Sequence, residues 1–271
     1  MKKTYTIFGQ GFIGTNLAKL LNKKKYKFFI PKKGKYKFKK DLQNIIYCIG
    51  SDDWVKDPGG AFDANLGIIP KIILNNKFKS FTLISSTRIY SNHSKKTNED
   101  SFLRINPNLR NFYYNSLKIA AENFCLSLPN KKIKVLRMSN LFGDNFTRQI
   151  YLLPTLIRES VNKKKINIFI NKKSSKDFLH VNEALDLMLK IIKKSKYRLY
   201  NIASGKNISL DKIANEIKRV SSCAINYKNQ KNLIIQPKID ISRIKNEFNF
   251  KPKKNLIKSI NHLINNYKNH A

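Results

Sequence analysis

One short stretch near the start of the chain restricts the fold more than any other. Thr4-Tyr-Thr-Ile-Phe8 is a run of β-branched and aromatic residues that reads as a buried strand. It passes into Gly9-Gln-Gly11-Phe12-Ile13-Gly14 and then Thr15-Asn-Leu-Ala-Lys-Leu-Leu21, where Ile13, Leu17, Leu20 and Leu21 share one helical face. Glycines alone also serve ordinary turns; a strand before them and a helix after them give the context in which they cradle a pyrophosphate. Gly9 permits the turn, Gly11 lets a phosphate approach the backbone, and Gly14 lets helix and strand pack closely. Phe12 and Ile13 open the helix, whose N-terminus favours an anion. Dinucleotide binding follows as the first expectation.

The alternation continues. Strands are predicted at Phe28–Ile30, Ile45–Ile49, Phe81–Ile84, Ile133–Arg137 and Leu199–Ile202. Helices are predicted at Ala61–Asn76, with Pro70 as a kink or boundary, and at Phe112–Leu128, Tyr151–Val161, Val181–Lys193, Leu210–Val220 and Leu256–Tyr267. Strands and helices in turn mean βαβ units, hence an α/β chain: a Rossmann, doubly wound parallel sheet with a smaller C-terminal substrate-binding domain. The expected division is a dinucleotide-binding part, 1–138 with about 173–204, and a substrate part, 139–172 with 205–271.

Composition bears on partners. Lys plus Arg number 54 against 17 acids, a formal charge of +37 over 271 residues. So large an excess invites a nucleic-acid reading, yet the lysines lie in loops, on helix faces and in the tail rather than in one arm. Abundant Asn and Ile point the same way, to a global bias such as AT-rich coding. Nucleic-acid binding is therefore expected only as nonspecific adhesion at low salt. No apolar run reads as a membrane span or a leader, and the separated Cys48, Cys125 and Cys223 suit a reducing cytoplasm better than a disulfide framework or metal cluster.

Where an acidic residue would close the second strand and hold an adenosine ribose, the chain has Pro31 followed by Lys32 and Lys33. Neither lysine accepts a ribose hydrogen bond, whereas either can meet a 2′-phosphate, so between NAD and NADP the pattern leans to NADP. Further along, Tyr114-Asn-Ser-Leu-Lys118 sets a phenol and an ammonium one helical turn apart. A free tyrosine titrates near ~10, and neighbouring positive charge favours its phenolate, as an acid/base group requires. Ser85-Ser86-Thr87 follows the fourth strand, at the sheet edge where ligands of parallel sheets bind.

Taken in order, these motifs resemble the extended short-chain dehydrogenase/reductases, the NAD-dependent epimerase/dehydratase family acting on nucleotide sugars. The likeness runs through Gly9–Gly14, Asn65 in Asp-Ala-Asn-Leu-Gly, Ser85-Ser-Thr-Arg-Ile-Tyr90, Tyr114–Lys118 with Ala120-Ala-Glu122, and Arg137-Met-Ser-Asn140. It continues in Lys176-Asp-Phe-Leu-His-Val181, Tyr200–Gly205 and Asp240–Pro252. The resemblance implies Ser86, Tyr114, Lys118 and Asn65 as catalytic residues, with Tyr114 and Lys118 also against the nicotinamide ribose. It implies Ser86, Thr87, Arg88, Asn140 and Lys176 at the substrate, and structural roles for Asp177 and His180. It also implies a homodimer.

Three departures matter. The cofactor-side segment Tyr47-Cys-Ile-Gly50 stands where the family commonly has small residues. Lys176 stands where the family often has an arginine on the substrate diphosphate, and it lacks bidentate geometry. Thr87 and Arg88 replace the Asp-Glu that resembling 4,6-dehydratases use in elimination. The expected activity is thus hydride transfer at a nucleotide-sugar carbon, C4 in the preferred reading, by an epimerase or a 4-keto reductase. The alternative is a nonenzymatic dinucleotide-binding or RNA-binding protein of the same fold.

Overall fold

The computed structural model describes residues 3–91, 96–144, 151–228, 230–231, 233–234 and 236–269. Its centre is a six-stranded parallel sheet. The strands are β1 (Thr4–Phe8), β2 (Lys27–Phe29), β3 (Asn44–Tyr47), β4 (Ser80–Ser86), β5 (Ile133–Met138) and a late strand, Leu199–Ile202. β1 pairs with β2 on one side and β3 on the other. The strand order therefore reverses at β1, which leaves a crevice at its carboxyl end, the switch point where such sheets take ligands.

Period-two alternation sorts the strand side chains to two faces. Tyr5, Ile7, Ile46, Ile84 and Leu136 pack under helix α1 (Phe12–Lys23). Phe8, Ile45, Tyr47, Phe81, Leu83 and Val135 pack on the other face. There they meet a broken helix, α2 (Pro58–Phe62), a π turn (Asp63–Gly67) and α3 (Ile68–Asn75), and beside it α4 (Tyr113–Ser127). Pro70 lies in the first turn of α3, directly after the π turn that interrupts the helix.

Between β2 and β3 no crossover helix forms. Segment 30–43 instead lies across the sheet with Tyr36 and Phe38 packed on the core, tied down by Asn76, which accepts from the Phe38 amide and donates to the Tyr36 carbonyl.

After β5 the chain forms β6 (Asn140–Phe142), α5 (Leu152–Asn162), β7 (Lys165–Ile168), β8 (Ser175–His180) and α6 (Val181–Lys193). It returns to the main sheet as β9 (Leu199–Ile202) and continues through β10 (Asn207–Ser209), α7 (Leu210–Ser221), β11 (Ala224–Tyr227), α8 (Ser242–Phe248) and α9 (Leu256–Lys268). β10, β8 and β6 form a small second sheet, and β11 pairs with β7. α5, α7 and α9 close a separate apolar cluster that includes Leu156, Ile213 and Ile260. Ile244 of α8, by contrast, joins the cluster beneath α1 and α6. Among the described residues no helix is long and apolar enough to cross a membrane.

Candidate active site

The glycine turn is built as its spacing requires. Gly9 has φ +106°, and a Cβ there would stand 2.8 Å from the Cys48 carbonyl carbon. A Cβ on Gly14 would come within 1.9 Å of the Gly9 carbonyl oxygen. These two glycines are demanded by packing. Gly11 differs: a Cβ would meet nothing within 4 Å, so its side of the turn is open. Gly11 caps α1 without any side-chain hydrogen bond, and the first turn carries no acid. As the first N–H groups of α1, those of Phe12, Ile13 and Gly14 have no partner within the helix, which suits them to a pyrophosphate. Lys32 and Lys33 are exposed just past β2.

The strand-end hydroxyls separate cleanly. Ser85 points under α4 and donates to the buried Glu122 carboxylate. Ser86, next along, accepts from the Arg88 amide at 3.1 Å and stands near enough to the Tyr114 phenol to favour its ionisation. The structure therefore brings Ser86, and not Ser85, to the tyrosine. One turn along α4, the buried Lys118 donates from Nζ to the Ile84 carbonyl at 3.3 Å, 5.7 Å from the centre of the Tyr114 ring.

Asn65 sits in the π turn, a helical irregularity common at functional sites. It is fully buried, and its amide nitrogen donates to the carbonyls of Ser51 and Ala61. Its Oδ1 has no hydrogen-bond partner. That orphan acceptor and the Lys118 ammonium both border Gly50, where an added Cβ would lie 3.4 Å and 3.6 Å from them. A buried acceptor left open beside a cation is a place for a ligand hydroxyl or a water.

Electrostatics follow from burial. Desolvation pushes the Tyr114 phenol up to about 12, against the pull of Arg88 and of the nearby Ser86 hydroxyl, with Tyr151 and Asp52 adding to the rise. Desolvation brings the Lys118 ammonium down to about 8, opposed by Glu122 and Cys48. Tyr114 thus rests as a protonated phenol, a proton donor. Arg88, half-buried on the turn Thr87–Tyr90, holds its guanidinium carbon 5.0 Å from the Tyr114 ring centre. Thr87 is buried, so of these two residues Arg88 reaches the tyrosine.

Behind the tyrosine a buried network braces α4 against β5. Arg137 grips Glu122 through Nε and Nη2 at 3.0 and 2.7 Å and donates to the Tyr90 hydroxyl at 2.6 Å.

Sequence comparison gives this geometry a family. A profile of the NAD dependent epimerase/dehydratase family matches residues 45–203, more than half of the chain. The chain belongs to that family. The matched span starts at β3, so the glycine turn lies outside it; the structural likenesses below cover nearly the whole chain. A UDP-glucuronic acid 4-epimerase from Bacillus cereus, solved with UDP-4-deoxy-4-fluoro-glucuronic acid and NAD, superposes with TM-score 0.84 at 16% identity, over 99% of this chain and 100% of that one. RMD from Pseudomonas aeruginosa, complexed with NADPH, gives 0.82 at 15% identity over all of both chains. The NDP-hexosamine 5,6-dehydratase TunA gives 0.85 at 16% identity, over 99% of this chain and 98% of that one. At such identities the likeness is one of fold. A search of curated proteins finds no match.

The remaining residues singled out in the sequence lie on the second sheet. Asn140 opens β6, and its amide nitrogen donates to the Asp177 carbonyl at 2.9 Å. Lys176 of β8 borders a small apolar cavity with Leu152, Phe178 and Ile208, and burial together with Arg88 lowers its pKa. Asp177 accepts from Ser204 and from the Lys206 amide, and His180 accepts from the Asn182 amide at the head of α6. Both are tied up in the framework. Motif reading set Gly50 in the cofactor-side segment Tyr47–Gly50 without a role of its own, and gave none to Asp52 or Tyr151. Only Gly50 left a signal, as the glycine that ends a strand facing the cofactor turn.

Proposed function

We propose that the protein is a nicotinamide-dinucleotide enzyme that exchanges hydride with a carbon, C4 in the preferred reading, of a nucleotide-activated sugar, as an epimerase or a 4-keto reductase. The observation that carries this is the grouping of Ser86 and buried Lys118 beside the Tyr114 phenol, at the same sheet edge as an uncapped helix N-terminus. That N-terminus, with Gly11, would hold the pyrophosphate, and Lys118 with Asn65 would hold the nicotinamide ribose hydroxyls. When bound, the nicotinamide supplies or takes up the hydride. Tyr114, protonated at rest, gives its proton to the sugar oxygen when a keto group is reduced, and takes the hydroxyl proton in the reverse direction. Ser86 fixes that oxygen beside the phenol.

Elimination is disfavoured because neither Thr87 nor Arg88 can act as a carboxylate acid or base. Exposed Lys32 and Lys33, with no acid at Pro31, support NADP over NAD. In this reading 1–138 with 173–204 serves the cofactor, 139–172 with 205–271 serves the sugar nucleotide through Asn140 and Lys176, and two copies dimerise. A thermal-shift titration against NAD⁺, NADH, NADP⁺ and NADPH at about 0.15 M salt tests it. Stabilisation by NADP(H) supports the lysine reading and a reductase, and tightly held NAD(H) points to an epimerase that recycles its own hydride. If none of the four stabilises the protein, the enzyme reading fails.

A further inference from the structure

Arg88 has a position its sequence neighbours do not share. It sits one turn beyond the catalytic-site hydroxyl, half-buried, with its guanidinium over the face of Tyr114. The nearby arginines are committed elsewhere: Arg137 to Glu122, Arg243 to Glu99 and Asp100. Among the described residues no carboxylate forms an ion pair with Arg88. Its charged neighbour is another cation, Lys176, close enough for the two to repel. Asp52, the acid that faces Tyr114, has an interaction of its own. A partly desolvated guanidinium beside a second cation is costly until an anion arrives, and its planar fork matches a carboxylate bidentately.

Which anion arrives is decided by place. Tyr114 marks the reacting carbon. In a hexose reacting at C4, a carboxylate at C6 hangs from the adjacent ring carbon, whereas the diphosphate leaves from C1, across the ring. Lys176 belongs to β8 of the second sheet, where it borders a cavity lined by Leu152, Phe178 and Ile208, while Arg88 lies over the tyrosine itself. We infer that Arg88 recognises a carboxylate carried by the sugar ring, so that the preferred substrates are nucleotide-activated acidic sugars, with Lys176 left to the diphosphate. This rests on the nucleotide-sugar reading above.

The test is equilibrium binding of UDP, UDP-glucose and UDP-glucuronic acid to the full chain at about 0.15 M salt, which suppresses general attraction to a +37 protein. Tyr114→Phe serves as the parent so that bound sugar is not turned over. The expected result is binding of UDP-glucuronic acid about tenfold tighter than UDP-glucose, collapsing to within about twofold in Arg88→Gln while UDP itself changes little. Arg88→Lys should keep part of the preference, since it keeps charge but loses the fork. Equal binding of the two sugars in the parent overturns the inference. So does an Arg88→Gln variant that weakens UDP as much as UDP-glucuronic acid, because that result assigns Arg88 to the diphosphate. If none of the three binds, nor their thymidine and guanosine counterparts, the nucleotide-sugar reading falls and this inference falls with it.

Discussion

At the scale of single residues, the site combines two opposed ionisations, both driven by burial. Tyr114, pushed up to about 12, is a phenol at neutral pH, so a reduction that needs its proton should be nearly flat from about pH 6 to 9. The reverse oxidation needs the phenolate and should rise with pH over that range. Steady-state rates in both directions check this, and Tyr114→Phe should lower both by at least about a hundredfold. Lys118 gives a stability prediction. Its folded pKa of about 8 lies below the ordinary 10.5, so between those values the unfolded chain holds a proton the folded one lacks, and stability rises with pH through that window. Below it, burying the ammonium costs folding free energy, so Lys118→Met should stabilise the fold at neutral pH by on the order of 1–3 kcal/mol, read as a higher melting temperature, while abolishing activity. An unchanged or lower melting temperature would contradict the account. The spacing of Tyr114 and Lys118 was legible in the sequence because four residues on a helix fix a shared face. The placement of Arg88 over Tyr114 was not, because it depends on a single turn after β4 whose geometry no periodicity encodes.

Among elements, legibility followed length. The helices at 113–127, 181–193, 210–221 and 256–268 were expected to within a residue or two, because each repeats its apolar stripe over several turns. The strands of the second sheet were missed: β6 and β10 are three residues each, and β8 is Ser-Lys-Asp-Phe-Leu-His, too short and polar for a strand pattern. Segment 30–43 was also opaque, since scattered Tyr36 and Phe38 cover the core there without any period. The junction of β8 and α6 carries its own prediction. His180 accepts from the Asn182 amide through Nδ1, which requires a neutral ring; burial, with Lys254 nearby, lowers its pKa to about 4 from 6.5. Because the folded state resists the proton, stability is retained above about 6.5 and falls as pH drops toward 4. His180→Asn should keep the cap and remove His180's share of that acid loss. His180→Ala should cost about 1 kcal/mol at neutral pH. Urea unfolding at several pH values separates the two variants, and parallel acid profiles for wild type and His180→Asn would refute the assignment.

For the whole molecule the deciding quantity is charge. Fifty-four basic side chains against 17 acidic ones place like charges over a compact surface, and their mutual repulsion works against folding. Raising salt shrinks the screening length from about 10 Å at 0.1 M to about 3 Å at 1 M, so the melting temperature should climb with sodium chloride, steepest at the low end. The same screening separates an enzyme that happens to be basic from a nucleic-acid binder. A diffuse surface charge should hold a generic RNA in dilute buffer, lose it steeply with salt, and do so identically in Tyr114→Phe, since no part of that attraction passes through the crevice. Gel-shift titrations across a salt series measure the slope. Binding that persisted at about 0.5 M salt with a fixed stoichiometry would instead require a built nucleic-acid surface. The dinucleotide crevice would then be only one of two sites in this fold.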